Sequence, residues 1–359
     1  MRDYTKAEAK DWAREKFRGL ENVLMPSLME ERFPDGGSTW NLDEEGIRHD
    51  VRMCKKHGFF MTGAAVEGLP WMMMEYLVRE FWEIALDEAG DEILIDAYVS
   101  QNTFDDTLAA AKLADEMGFD VIMLAYPPFQ RFKSEQEVVE FTEAVCEQVD
   151  LAVTIFATHK YNLERFHSST FSPQLIGRLA DIENVVAVKL GVINVAHSSE
   201  CFKRYGDKVL LNAPYPEYWN TYVPEYGQQW AGNGPYEVLQ DLDHLYMVDY
   251  MNLLIEGEYD RAMDIYWKVF EGYEDLIRGF LDYTVYEGNY NFMHWKYWSW
   301  LGGFNGGPLP LPLAKLYEHQ KDKMKAARVK MGLSVPTDDE EFYVGKSRYG
   351  VKTGATMAD

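Results

Sequence analysis

The chain has 359 residues, 47% of them hydrophobic, and a net charge of -24. A chain of this size can bury a large core, and one domain of roughly 250–300 residues with an appendage suits it. The acidity argues against a nucleic-acid partner or an anionic membrane surface, because both need a basic face.

Aromatic residues make up 14% of the chain, which points to aromatic-lined pockets or aromatic oligomer contacts. The cysteines Cys54, Cys146 and Cys201 lie far apart with no CxxC spacing, as expected of reduced thiols in a cytoplasmic protein. The charged start (Arg2, Asp3, Lys6, Glu8, Lys10) does not read as a signal peptide. There is no run of 18 apolar residues, so no membrane-spanning helix is expected.

In chain order, residues 4–20 read as an amphipathic helix, 23–26 as a short strand ended by Pro26, and 33–40 as a loop rich in Gly, Pro and Asp. Helices are predicted over 42–57, 72–88, 103–117, 134–148 and 172–180, with Gly58 and Gly118 as C-terminal stops. Strands are predicted over 59–63, 93–99, 121–125, 151–157, 185–189 and 209–211, and Cys201 falls in a short helix before the last. Strands and helices alternate at roughly 30-residue spacing without a glycine-rich phosphate turn, which predicts a parallel sheet closed into a (β/α)8 TIM barrel. The expected organisation is an N-terminal helix (1–20), the main part of the barrel (21–238), a C-terminal helical extension (239–330) and an extended polar tail (331–359).

The run Val185-Val186-Ala187-Val188-Lys189 has the composition of a strand buried on both faces. A lysine ending such a strand would have its ammonium form disfavoured, leaving a nucleophilic amine suited to a Schiff base. The plainer reading is a lysine whose stem is buried and whose head reaches solvent. In a barrel, chemistry gathers at the C-terminal strand ends. There the sequence places Gly63, Ala64, Ala65, Glu67, Tyr98, Tyr126, Phe156 to Tyr161, Asn212 and Ala213. No metal site is expected: His159 and His167 are eight apart without further ligands at a suitable spacing. No cofactor is expected either, since phosphate-loop and dinucleotide fingerprints are absent. Glu67 could equally cap the helix after Pro70. Met72 to Met74 read as core filler, and the aromatic stretch 283–304 as a packing or oligomer surface.

These motifs, in this order, resemble the dihydrodipicolinate synthase / N-acetylneuraminate lyase family of class I Schiff-base aldolases and dehydratases. Residues 58–69 (GFFMTGAAVEGL) are similar to the family's loop after its second strand. Gln101-Asn102-Thr103 and Tyr126-Pro127-Pro128-Phe129 follow in family order. Ser172-Pro173-Gln174-Leu175, Asn184 and Val188-Lys189 match the approach to its Schiff-base lysine. The resemblance spans roughly residues 20 to 330. It implies that Lys189 forms the imine and that a tyrosine near the end of the fifth strand moves the proton.

The departures from the family pattern bear on the substrate. The two hydroxyl residues that hold a carboxylate in the family stand here as Ala64 and Ala65, and methyl groups donate no hydrogen bonds. Glu67 is retained, and the family's tyrosine in the fourth loop falls on Phe129. Counting from the strand start puts Phe156 at the catalytic tyrosine position; counting back from Lys189 puts Tyr161 there. If Phe156 fills it, His159 or Tyr161 must supply the proton transfer. No arginine occurs in 306–311, the stretch read as following the eighth strand. The expected protein is therefore a Schiff-base-forming carbon–carbon or carbon–oxygen lyase acting on a small carbonyl compound with a bulky apolar or aromatic part. The family implies a homo-oligomer, a dimer or tetramer. The alternatives are an altered family member that dehydrates or deaminates, or a barrel that only binds its ligand.

Overall fold

Eight short parallel strands carry the architecture, and each is nearly or wholly buried. They are β1 (Gly19–Leu24), β2 (Met61–Ala64), β3 (Leu94–Val99), β4 (Val121–Leu124), β5 (Ala152–Ala157), β6 (Val185–Leu190), β7 (Leu210–Asn212) and β8 (Trp230–Gly232). Their order in the sheet is β8-β1-β2-β3-β4-β5-β6-β7, so the two end strands are consecutive in sequence. With helices between the strands and further helices after them, the chain is a (β/α)8 TIM barrel with a C-terminal helical extension. The computed structural model describes residues 2–64, 75–232, 234–286, 292–310 and 316–353. Among the described residues, no helix is long and apolar enough to cross a membrane.

The chain divides into two units. The first comprises Met1–Glu21, Leu94–Gly234 and Met251–Tyr259. Within it β3 to β7 pair in sequence, and β1 pairs with β8. Apolar residues dominate these strands because both faces are covered. The helices between them start where the sequence supplies caps. Ser172 Oγ accepts from Leu175 N at 3.0 Å ahead of Pro173–Ala180, and Ser134 and Thr103 cap their helices in the same way. Asn184 fixes the entry to β6, its Nδ2 donating to Leu151 O at 2.9 Å.

One irregularity positions the site. The β5–β6 register shifts between Val153 and Thr154. Val153 pairs with Val185, but Thr154 pairs with Ala187, so that Phe156 falls opposite Lys189 rather than Val188. A one-residue slip exchanges the two faces of a strand. The bulge therefore puts Phe156 on the same face as the lysine.

The second unit comprises Asn22–Ile93, Pro235–Tyr250 and Asp260–Asp359. The segment expected to be a loop at 33–40 is the turn of an antiparallel hairpin, Leu28–Arg32 with Ser38–Leu42. The tail expected to be extended is instead helical at Glu340–Val344 and Lys346–Thr353. Phe342 anchors it, fully buried and edge-on to Tyr297 at 5.0 Å. Ser347 Oγ donates to Asp43 Oδ2 at 2.5 Å, and Asn305 N donates to Asp50 Oδ1 at 2.5 Å. Two single positions thus dock a segment whose composition is polar. The eighth strand, Trp230–Gly232, lies far before 306–311, the stretch read as following it.

Candidate active site

Lys189 is buried, 5% exposed, near the end of β6. Its neighbours in register are Phe156 on β5 and Asn212 on β7, so all three side chains share a face. Lys189 Nζ lies 4.4 Å from the centre of the Phe156 ring, a cation–π distance. Gly191 makes this approach possible. A Cβ there would stand 3.0 Å from both Phe156 Cε2 and Ala157 O. The Gly191 carbonyl accepts from Tyr215 Oη at 3.2 Å. Burial holds the Tyr215 phenol well above its ordinary pKa, so it stays protonated.

Tyr161 closes the turn His159–Tyr161 that follows β5, and Asn162 continues it in the left-handed region at φ 57°. The Tyr161 ring is buried, edge-on to Phe156 at 6.5 Å and to Tyr126 at 5.4 Å. Behind it Tyr126 bonds Thr142 across 2.7 Å between hydroxyl oxygens, and burial raises its pKa. Tyr126 thus belongs to an aromatic cluster with Phe132, Phe141 and Phe171. Tyr98 is buried on β3, in register with Met123. Asn212 is fully buried, and neither its Oδ1 nor its Nδ2 has a hydrogen-bond partner among the described residues. Ala213 serves the loop after β7: its N–H donates to Gln228 Oε1 at 3.1 Å, and its carbonyl accepts from Trp219 Nε1 at 3.0 Å.

Two expected site residues lie elsewhere. His159 is exposed, and its Nδ1 faces Glu164 Oε1 at 3.3 Å. Phe129 is 76% exposed, turned outward by the bend in which Gln130 N donates to Pro127 O at 3.0 Å. In the second unit, Gly63 and Ala64 are buried at the end of β2. Ala65 and Glu67 fall outside the described residues. Two fully buried carboxyl residues stand on these strands without having been singled out in the sequence: Glu21 on β1 and Asp96 on β3. The available signal was a carboxylate inside an apolar strand, Leu94-Ile95-Asp96-Ala97.

The comparisons with known proteins agree with this fold. The model of the dihydrodipicolinate synthetase family matches residues 44–327. The chain belongs to that family. The 4-hydroxy-tetrahydrodipicolinate synthase of Methanothrix thermoacetophila is 22% identical over 88% of this chain and 97% of its own length. The N-acetylneuraminate lyase of Clostridium perfringens is 23% identical over 48% of this chain and 58% of its own. The crystal structure of dihydrodipicolinate synthase from Aquifex aeolicus superposes with a TM-score of 0.71 at 18% identity, covering 89% of this chain and all of that one. Membership of the family makes the chain a lyase of the class I aldolase type.

Proposed function

We propose that this family member is a Schiff-base lyase whose substrate is a 2-oxo acid, or a related ketone, with a bulky apolar or aromatic part. The observation that carries the proposal is the buried Lys189 amine set against the face of Phe156. Lys189 condenses with the carbonyl carbon to form the imine. Imine formation polarises the adjacent bonds, so that a carbon–carbon or carbon–oxygen bond can break. Tyr161 is the general acid/base of this step, and His159, exposed on the same turn, takes no part. Asn212 receives a polar group of the bound substrate, which supplies the partners its buried amide lacks. Phe156, Tyr98 and Tyr215 give the apolar surface against which a ring packs. Ala64, where the family carries a hydroxyl, weakens the hold on a carboxylate and shifts recognition toward the apolar end.

A dimer or tetramer in a cytoplasmic setting belongs to the same reading. Its support is the family together with the exposed Tyr259 and Trp267 on the helix Tyr259–Tyr286.

The test is substrate competition. Pyruvate release should be followed for 2-oxo acids with an aryl substituent and for analogues of similar size with a polyhydroxylated chain. The proposal expects kcat/KM to favour the aryl series by about tenfold or more, as burial of a ring supplies roughly 1.5–3 kcal/mol. Equal or better turnover of the polyhydroxylated series contradicts it.

A further inference from the structure

Two carboxyl groups are buried in the strand layer that holds Lys189. Glu21 on β1 and Asp96 on β3 are each 0% exposed, their carboxyl groups bear on one another, and neither Asp96 oxygen has a hydrogen-bond partner among the described residues. The sequence makes room for them. Glu21 pairs in register with Gly232 on β8, and a Cβ on Gly232 would collide with Glu21 Oε2. The charged groups that bear on Asp96 are Glu21 from β1 and Lys189 from β6. Burial first, and Glu21 second, push the Asp96 carboxyl well above the usual range, while Lys189 pulls it back.

Like carboxylates in contact do not both ionise, so the pair holds one proton. Apolar side chains of similar volume would fill the space without desolvating two carboxyls. A pair kept in that position beside a lysine has a use in the lysine's chemistry. On the other side of Lys189 stands Asn212, whose buried amide has no partner among the described residues. That unsatisfied group marks where a ligand's polar atoms meet the amine.

The geometry points to Glu21 and Asp96 as the proton store of Lys189: together they take the ammonium proton to free the amine, and they supply the counter-charge to the iminium. This deepens the imine reading above and rests on it. At rest the pair carries one proton and one negative charge, and Lys189 is an ammonium, so the three groups sum to zero. One N–H bond breaks and one carboxyl O–H bond forms, leaving a neutral amine over two protonated acids. The amine attacks the carbonyl carbon, and the C=O electron pair moves to oxygen. An internal proton shift gives the neutral carbinolamine. The pair then returns its proton as the hydroxyl leaves as water. The iminium is left facing one carboxylate, and charge is balanced at each stage. Glu21 and Asp96 act through Lys189, as positioning residues for its proton.

The experiment takes the full chain and two isosteric variants, Glu21→Gln and Asp96→Asn. Infrared spectra at about pH 7, well above the usual carboxylate range, should show a protonated-carboxyl component in the wild type, beyond that of Glu237, that Asp96→Asn removes. Borohydride trapping with pyruvate is then followed against pH. In each variant the remaining carboxyl faces no like charge and holds a proton less strongly, so the amine keeps its own. The pH of half-maximal trapping should rise by about one unit or more. A protonated-carboxyl spectrum that a folded Asp96→Asn leaves unchanged overturns the proposal. Normal wild-type trapping with an unshifted profile in the folded variants removes the role of the pair alone. No trapping in the wild type removes the imine reading, and the role of the pair with it.

Discussion

Lys189 Nζ lies 4.4 Å from the centre of the Phe156 ring, which a register shift between their two strands places opposite it. The ring covers an amine that is already buried, in a position where the family resemblance offers a tyrosine as one alternative. Aromatic surface is what Phe156 presents to the Lys189 amine.

Replacing Phe156 by Leu keeps the apolar volume and removes the ring face. The fold should survive with a loss of about 1–2 kcal/mol, combining lost packing and the cation–π contact. The rate of imine formation should fall several-fold. Denaturant midpoints and trapping rates check this together. Unchanged values of both would show that the ring is only filler.

Tyr161→Phe removes one oxygen from a buried ring and leaves its packing on Phe156 and Tyr126 in place. Stability should change by about 1 kcal/mol. Turnover should fall by about 10²–10⁴-fold, the usual loss for a general acid/base, while imine trapping persists. His159→Ala should leave turnover within about twofold, because the exposed ring faces Glu164. Steady-state rates beside trapping yields separate the two roles; a large loss in His159→Ala with full activity in Tyr161→Phe reverses the assignment.

The second unit should show a pH-dependent stability. Glu237 is fully buried, and burial raises its carboxyl from 4.5 to about 7, although Ser299 Oγ donates to it at 2.6 Å. A folded-state pKa raised above the unfolded value contributes stability below the unfolded value, and that contribution is lost as pH rises through the folded value. The wild type should therefore lose stability between about pH 4.5 and 7 from this group, by up to about 3 kcal/mol. Glu237→Gln should flatten that slope. Thermal midpoints across the range measure it, and an unchanged slope in the variant contradicts the assignment.

Most of the barrel was legible in the sequence, because strands buried on both faces are written as short apolar runs between capped helices. Lys189 stood out for the same reason, as a charge at the end of Val185-Val186-Ala187-Val188. Trp230–Gly232 escaped because three residues are too few for a periodic signal. The helices after 339 escaped because two anchors, Phe342 and Ser347, dock a segment that is otherwise polar. In the site, the face that Phe156 presents depends on the shift between Val153 and Thr154, a tertiary feature without a residue signature. Glu21 and Asp96 stand 75 residues apart, and only the assembly of the sheet brings them together. The outward turn of Phe129 follows from the backbone bend after Pro127, which residue identity does not report.

The central claim is that Lys189 is the amine that condenses with the substrate carbonyl. Its most direct test is borohydride reduction in the presence of pyruvate, followed by mass analysis of the proteolysed chain. One reduced adduct is expected, on the peptide containing Lys189, and it should be absent in Lys189→Ala along with turnover. An adduct on any other lysine, or full turnover in Lys189→Ala, would contradict it.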